Sequence, residues 1–100
     1  MHVLSLKLLR QFWMRHPPAE APLRHWHTVV EKTAFADFSD LRRTFPSADY
    51  VRPYTIFNVG GNNFRVVTAV HYGPARVYVR WVLTHAEYDA WSKQYQRGRS

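Results

Sequence analysis

The chain has 100 residues, enough for one packed core and rarely for two, so we expect a single domain over residues 1–100. With 46% hydrophobic and 16% aromatic residues, the composition excludes wholesale disorder. The net charge is +7, and eleven of the fourteen basic residues are arginine, whose planar guanidinium suits phosphates and nucleobases. A nucleic acid is therefore the favoured partner, with a basic surface that has no specific partner as the alternative.

Two absences narrow the class of protein further. The chain has no cysteine, which excludes disulfides and thiolate metal sites and favours a cytosolic protein over a small secreted one. No apolar run approaches the ~20 residues of a membrane span. Lys7, Arg10 and Arg15 interrupt the apolar stretch at the N-terminus, and this pattern disfavours a secretory signal.

The first third of the sequence predicts a short strand followed by a helical hairpin. Residues 2–4 form a candidate edge strand, and Ser5 is placed to cap a helix over residues 6–16. Pro17-Pro18 ends that helix, because a residue before proline avoids helical backbone angles, and a second helix then runs to about Lys32. Two helices joined by so short a break predict an antiparallel pair.

Two other helices are predicted further along the chain. Ser39 is placed to cap a brief helix that Pro46 ends. Thr84 and Glu87 have the spacing of a capping box, in which each side chain bonds the other residue's backbone, and this predicts the start of a C-terminal helix. Residues 97–100 are expected to form a frayed tail.

From Arg52 onward the hydrophobic period changes to two, which predicts two β-hairpins. A tight turn at Gly73-Pro74 places Tyr72 opposite Ala75. On one sheet face, predicted to be buried, this register pairs Val70 with Val77, Thr68 with Val79, Val66 with Trp81 and Phe64 with Leu83.

The opposite face is predicted to be open to solvent and to carry the polar side chains. Here Arg65 is expected opposite Val82, and Arg80 opposite Val67, so that both arginines share one exposed face. A second turn over residues 60–63 places Asn58 beside Arg65. Four further pairs complete this face in the predicted register: His71 with Arg76, Ala69 with Tyr78, Tyr54 with Ala69, and Arg52 with His71.

The predicted open face gathers groups that can bind and cleave RNA. Cleavage by attack of a 2′-hydroxyl needs a base, an acid and cations for the charged phosphorane. Histidine suits either proton role near neutral pH, and arginine stabilises phosphate. Tyrosine can stack on a base or relay a proton. The groups placed near this surface are Arg65, Arg80, His71, His85, Tyr54, Tyr78, Tyr88 and Asn58.

Each of these residues also has a structural interpretation, and the functional one is favoured for Arg65, Arg80 and His85. The others have ordinary roles open to them: Arg76 as a solvated strand residue, Tyr78 as a shield, His71 as a hairpin-tip residue and Tyr88 as part of the core. A metal site is not expected, since His25-Trp-His27 lacks the i, i+4 spacing of a helical pair, and Asp37 and Asp40 suit a helix start.

Two motifs in the second half of the chain are specific in combination. The first is Phe57-Asn-Val-Gly-Gly-Asn-Asn-Phe-Arg-Val-Val67, and the second is Tyr78-Val-Arg-Trp-Val-Leu-Thr-His-Ala-Glu-Tyr-Asp89. Together with the weaker match Leu41-Arg-Arg-Thr-Phe-Pro-Ser47, they make the chain resemble the HigB toxins, the mRNA interferases of type II toxin–antitoxin systems. The resemblance covers about residues 2–95.

The resemblance implies a RelE-like α+β fold, in which a small antiparallel β-sheet packs against an N-terminal helical hairpin, with a short C-terminal helix. It implies a bacterial cytoplasmic toxin that cleaves mRNA without metal or other cofactor, commonly on the ribosome. It also implies a HigA-like antitoxin with a helix-turn-helix domain. The motif positions carried over are Asn58, Asn62, Arg65, Arg80, His85 and Tyr88.

One departure from the family pattern shifts the expected base. Relatives often place a lysine before the second strand, where this chain has Arg52-Pro53, and arginine stays protonated. His85 is therefore the favoured general base or acid. The positive end of the helix dipole, with Arg80 expected nearby, favours the neutral imidazole that a base needs.

We therefore expect a toxin that degrades mRNA, with His85, Arg65, Arg80 and Tyr88 as catalytic residues. Arg65 and Arg80 are expected to clamp phosphate. The expected RNA-binding residues are Arg52, Tyr54, Asn58, Asn62, His71, Arg76 and Tyr78. The alternatives are a basic RNA-binding module without catalysis and a gyrase-poisoning toxin on the same scaffold.

Overall fold

The computed structural model describes the backbone of residues 1–99 and the side chains of residues 1–96. Its five strands are β1 (His2–Leu4), β2 (Asp49–Val51), β3 (Tyr54–Val59), β4 (Phe64–His71) and β5 (Arg76–Thr84). Its helices are α1 (Leu6–Arg15), α2 (Glu20–Lys32), α3 (Phe38–Thr44) and α4 (His85–Arg99), with a 3-10 turn at Pro17–Ala19 between α1 and α2. The predicted α+β fold with an N-terminal helical hairpin is confirmed.

The strands form one sheet in the order β1-β5-β4-β3-β2. The pairs between β3 and β4 and between β4 and β5 are antiparallel, as the sequence predicted, and β2, which was not predicted, pairs antiparallel with β3. The exception is the edge strand β1, which runs parallel to β5 with Val3 opposite Val77. A parallel pair is possible here because most of the chain separates the two strands, and parallel strands need a long connection.

One face of the sheet carries the main core beneath α1 and α2. Trp26 of α2 meets the ring of Phe57 edge-on, with 5.3 Å between centroids, and Phe12 of α1 meets Phe64 at 5.6 Å. The apolar stripes predicted for the two N-terminal helices therefore face the core. The fully buried helix residues on this side include Leu9, Phe12, Leu23, Trp26 and Val30.

The turn between β4 and β5 forms where it was predicted, but the register beyond it differs. The backbone nitrogen of Ala75 donates to the oxygen of Tyr72 at 3.2 Å. The pairs from His71–Arg76 to Thr68–Val79 follow the prediction, and then a β-bulge shifts the register by one residue. After the bulge the observed pairs are Val67 with Trp81, Val66 with Val82, Arg65 with Leu83 and Phe64 with Thr84.

The bulge overturns the predicted burial of Trp81. Arg80 is the extra residue that no β4 residue faces, so Trp81 shares a face with Val67 instead of Val66. Trp81 is 39% exposed, while Val66 and Val79 are buried as predicted. Counting outward from the turn missed this change because alternation in the sequence does not reveal an inserted residue.

The helix starts agree with the sequence at one cap and differ at two. The capping box of α4 is confirmed: the Thr84 hydroxyl accepts from the Glu87 nitrogen at 3.2 Å, and the Glu87 carboxylate accepts from the Thr84 nitrogen at 2.8 Å. The prediction for Ser5 is wrong, since its side chain makes no capping bond and its φ is +71°. Asp37, not Ser39, caps α3 by accepting from the Asp40 nitrogen at 2.8 Å.

Helix α4 covers part of the sheet face that was predicted to be open. The ring of Trp91 lies 5.5 Å from Trp81 and 5.9 Å from Tyr54, so three aromatic side chains close over the middle of this face. Beneath them Ile56 and Val67 are almost fully buried. A second apolar cluster therefore displaces polar groups from the centre of the face to its ends.

The C-terminal helix continues through Arg99, where a frayed tail was predicted from Arg97; Ser100 lies outside the described residues. No helix within residues 1–99 is both long and apolar enough to cross a membrane.

Candidate active site

The candidate site lies where the turn over residues 60–63 meets the start of α4. The backbone nitrogen of His85 donates to the oxygen of Asn63 at 2.9 Å, and this bond ties the helix start to the turn. Asn58 stands opposite Arg65 on neighbouring strands, as predicted. The two sequence motifs are therefore joined in space, although some twenty residues separate them in the chain.

Arg65 is the centre of this site, and it is buried where an exposed side chain was predicted. Its side chain is 7% exposed. Nη1 donates to the backbone oxygens of Asn62 and Phe64 at 3.2 and 3.1 Å, and Nη2 donates to the side-chain oxygen of Asn62 at 2.7 Å. A buried cation needs such acceptors because water no longer solvates it. Arg65 therefore organises the turn, and much of its hydrogen-bonding capacity is already used inside the protein.

His85 is held with one ring nitrogen bound to the turn and the other facing a carboxylate. Nδ1 lies 3.0 Å from the backbone oxygen of Asn62. Since that oxygen can only accept, Nδ1 carries a hydrogen in this contact, and Nε2 is left for proton transfer. Nε2 lies 3.4 Å from Oδ2 of Asp89, one helical turn later. The carboxylate stabilises the imidazolium that forms when Nε2 takes up a proton.

The cation beside His85 is Arg65, not Arg80 as predicted. Nη2 of Arg65 is 3.4 Å from Nδ1 of His85, longer than its 2.7 Å bond to Asn62. Because Nδ1 already donates to Asn62, Nδ1 and Nη2 are both donors and form no hydrogen bond with each other. The contact instead places the positive charge of Arg65 beside the imidazole.

Tyr88 lies one turn along α4 and packs against the same arginine. The guanidinium carbon of Arg65 is 5.6 Å from the Tyr88 ring centroid. Burial raises the pKa of the Tyr88 hydroxyl, and the negative charge of Asp49 raises it further. The hydroxyl therefore stays protonated at physiological pH, so it can donate a hydrogen bond or a proton but is poorly suited to act as a base.

The raised pKa of Tyr88 leads to a testable dependence of stability on alkaline pH. An unfolded tyrosine ionises near pH 10, before the folded one, so the free energy of unfolding should fall as the pH rises through about 10. Tyr88→Phe should make this fall shallower, as measured by urea denaturation between pH 8 and 11. Tyr72, whose pKa burial also raises, should leave a residual slope. An unchanged slope in Tyr88→Phe would contradict the assignment.

A cleft of about 320 Å³ opens beside Tyr88 and Arg65. Its walls are formed by the sheet and by the segment that precedes β2. Its lining comprises Arg42, Ser47, Ala48, Asp49, Ile56, Asn58, Arg65 and Tyr88. The volume lies at the lower end of the range for small-ligand sites, about 300–1,000 Å³.

Sequence reasoning missed Arg42, Ser47 and Asp49 as site residues. The available signal was the weaker motif over residues 41–47, which contains Arg42 and Ser47. The strand β2 that carries Asp49 was not predicted, and without it no register could place this segment at the sheet.

The remaining candidates do not join the Arg65 cluster. Arg80 stacks over Tyr78 at 5.4 Å, and the His71 ring lies 5.1 Å from the same tyrosine. Arg76 stands opposite His71 near the turn at the far end of β5. These four residues form a separate basic and aromatic patch, so the predicted single surface is divided by the cluster under α4.

Arg52 lies away from its predicted position, whereas Tyr54 keeps the predicted register but is not on an open surface. Arg52 lies in the turn between β2 and β3, not on a strand beside His71, and its backbone oxygen accepts from the Tyr95 hydroxyl. Tyr54 packs edge-on against Trp81 at 5.3 Å and belongs to the aromatic cluster under α4. The candidates that the structure brings together are Asn58, Asn62, Arg65, His85 and Tyr88.

Comparison with known proteins identifies the family. Residues 19–91 match the HigB toxin family, described as the RelE-like toxic component of a toxin-antitoxin system. The chain belongs to the HigB toxin family. The mRNA interferase toxin HigB of Escherichia coli (strain K12) and the mRNA interferase HigB of Shigella flexneri are each 35% identical to it over 92 residues, covering 89% of this chain and 88% of each relative.

A third relative extends the HigB likeness over nearly the whole chain. The mRNA interferase HigB of Escherichia coli O6:H1 is 28% identical over 102 residues, covering 99% of both proteins. The family match spans the cleft and the cluster of Arg65, His85 and Tyr88. Among the described residues, no group of three or more histidine, aspartate or glutamate side chains could hold a metal ion.

Proposed function

We propose that this HigB-family chain is a toxin that cleaves mRNA as a metal-independent endoribonuclease. The observation that supports this most strongly is that the family match coincides with a histidine, a tyrosine and a buried arginine gathered beside one cleft. We further propose that residues 1–100 form one toxin domain acting in the bacterial cytoplasm on mRNA bound to the ribosome.

In the proposed reaction the 2′-oxygen attacks the adjacent phosphorus, and the bond to the 5′-oxygen breaks. Nε2 of neutral His85 takes the 2′-hydroxyl proton, and Asp89 stabilises the resulting imidazolium. The Tyr88 hydroxyl, kept protonated by its raised pKa, gives its proton to the departing 5′-oxygen. The products are a 2′,3′-cyclic phosphate and a 5′-hydroxyl end.

Two arginines supply positive charge in this scheme, in different ways. Arg65 acts from inside the cleft wall, where its charge stabilises the phosphorane while its hydrogen bonds hold the turn. Arg42 is exposed and lines the same cleft, so it is better placed than Arg65 to bind phosphate directly. The sequence predicted that Arg65 and Arg80 clamp phosphate. We propose that Arg42 takes over part of this direct phosphate binding.

A toxin of this kind needs a partner that restrains it, and we propose a HigA-like antitoxin with a helix-turn-helix domain. The family description places its members in toxin-antitoxin systems. A chain of net charge +7 with an accessible arginine-lined cleft attracts RNA, so an antitoxin can cover the cleft with acidic side chains or form a complex too large to reach the substrate.

The proposal is tested by adding the purified chain to a bacterial translation extract and sequencing the mRNA ends. New 2′,3′-cyclic phosphate ends should appear, and cleavage should weaken steeply as salt rises, because phosphate contacts release counterions. Addition of a HigA-like antitoxin that binds this chain should suppress the new ends. Translation inhibition without new ends would instead indicate an RNA-binding module without catalysis.

A further inference from the structure

The cleft contains one carboxylate whose role the cleavage scheme leaves open. Asp49 stands opposite Ile56 on β3, and Ile56 stands opposite Val67, so all three lie on the sheet face that also carries Arg65. Asp49 lines the cleft together with Arg42, Asn58 and Tyr88. Its charge reaches the Tyr88 hydroxyl, since it contributes to the raised pKa of that group.

A carboxylate in this position is unfavourable for binding a phosphate backbone. Its negative charge repels the phosphates that the surrounding arginines attract. Only one of the two carboxylate oxygens of Asp49 is bonded within the described part of the protein. Oδ1 accepts from the Tyr50 nitrogen at 2.8 Å, while Oδ2 has no hydrogen-bond partner among the described residues. A free acceptor within a cationic cleft is therefore available to a ligand group that donates hydrogen bonds.

Nucleobases offer such donors on their Watson–Crick edges, and the four bases differ in this respect. Adenine, cytosine and guanine carry an amino group that donates to a carboxylate, as cytosine N4 does to aspartate in nucleic-acid readout. Uracil has no amino group, and its one donor on this edge, N3–H, lies between two carbonyl oxygens that a carboxylate repels. Proteins read single-stranded RNA by binding such edges of unstacked bases.

We propose that Asp49 is a specificity-determining residue that selects a nucleobase with an amino group and rejects uracil at one position of the cleaved mRNA. This inference rests on the proposed function. The base would enter the cleft beside Tyr88, with Arg42 available for the adjoining phosphate. A uracil in the same place would have only N3–H to donate, and the carbonyl oxygens on both sides of it would be repelled by the carboxylate.

The test compares cleavage sites of the wild type and Asp49→Asn on a randomised mRNA pool in the translation extract. The wild type should deplete uracil about tenfold at one position relative to the cut, the discrimination expected from one good hydrogen bond. The amide of Asp49→Asn offers a donor as well as an acceptor, and it therefore suits uracil, so the depletion should disappear. Its oxygen can still accept from the Tyr50 nitrogen, which preserves the local fold.

Glu20→Gln is the matched control, because Glu20 loses the same charge in an exposed pair with Arg24, outside the cleft lining. It should keep the wild-type sequence preference. Equal reduction of cleavage at all sites by Asp49→Asn, with uracil still depleted, would overturn the proposal and give Asp49 a part in catalysis or positioning. An unchanged rate and preference would also overturn it. Failure of the wild type to cut any RNA would instead refute the proposed function.

Discussion

Replacing His85 by glutamine should lower the rate of mRNA cleavage by a factor of about 10² to 10⁴, the range for losing a positioned general base. Glutamine can still donate to the backbone oxygen of Asn62 but cannot take up the 2′-hydroxyl proton. The loss should therefore appear in the cleavage rate, measured from the appearance of cyclic-phosphate ends, and thermal stability should stay near that of the wild type.

Asp89→Asn is the companion variant, because Asp89 acts only through His85. Removing the carboxylate 3.4 Å from Nε2 leaves the base in place but takes away the charge that stabilises its protonated form. We expect a smaller loss, about tenfold, because the imidazolium that forms during cleavage is no longer stabilised by a neighbouring negative charge. Wild-type cleavage by His85→Gln would place the base elsewhere, for example on a ribosomal group.

The second large effect is expected for Arg65→Ala, which should destabilise the fold as well as abolish cleavage. The variant would remove the Arg65 donor from the backbone oxygen of Phe64 and the side-chain oxygen of Asn62, and would leave the backbone oxygen of Asn62 with His85 Nδ1 alone. We expect the free energy of unfolding to fall by about 2–3 kcal/mol, as for other broken buried polar networks. Urea denaturation measures this change directly.

Arg80→Ala is the matched control for stability. Arg80 is exposed at the bulge and stacks on Tyr78, so its loss should change the free energy of unfolding by less than about 0.5 kcal/mol. Any effect of Arg80→Ala on cleavage would then report RNA binding at the separate patch formed with His71, Arg76 and Tyr78. Wild-type stability in Arg65→Ala would contradict the structural role assigned to that side chain.

Local patterns in the sequence predicted the local structure well, because neighbouring residues decide it. The Thr84–Glu87 capping box needs only a four-residue segment, and it correctly located the start of α4 and hence His85. The turns at residues 60–63 and 72–75 likewise follow from residue types with special backbone preferences. The pair of motifs also pointed to the HigB family, which the comparison confirmed.

The failures arose where distant segments meet. The bulge at Arg80 moved the Trp81 side chain to the opposite face of the sheet. Helix α4 then covered the middle of that face, where Tyr54, Trp81 and Trp91 pack together. This aromatic cluster lies between Arg80 and Arg65. The alternation of apolar and polar residues in the sequence had placed both arginines on one open surface. The sequence pattern contains no information about which helix will pack over a strand.

The sequence by itself determined the secondary elements other than β2, the main apolar face and the local pairing of Asn58 with Arg65. The tertiary structure decided that Arg65 is buried, because only the folded turn supplies the carbonyl oxygens that stabilise its charge there. It also decided that Arg42 and Asp49 reach the cleft, since their positions depend on the pairing of β2 with β3. Contacts between segments far apart in the chain are set by packing, and no short stretch of sequence encodes them alone.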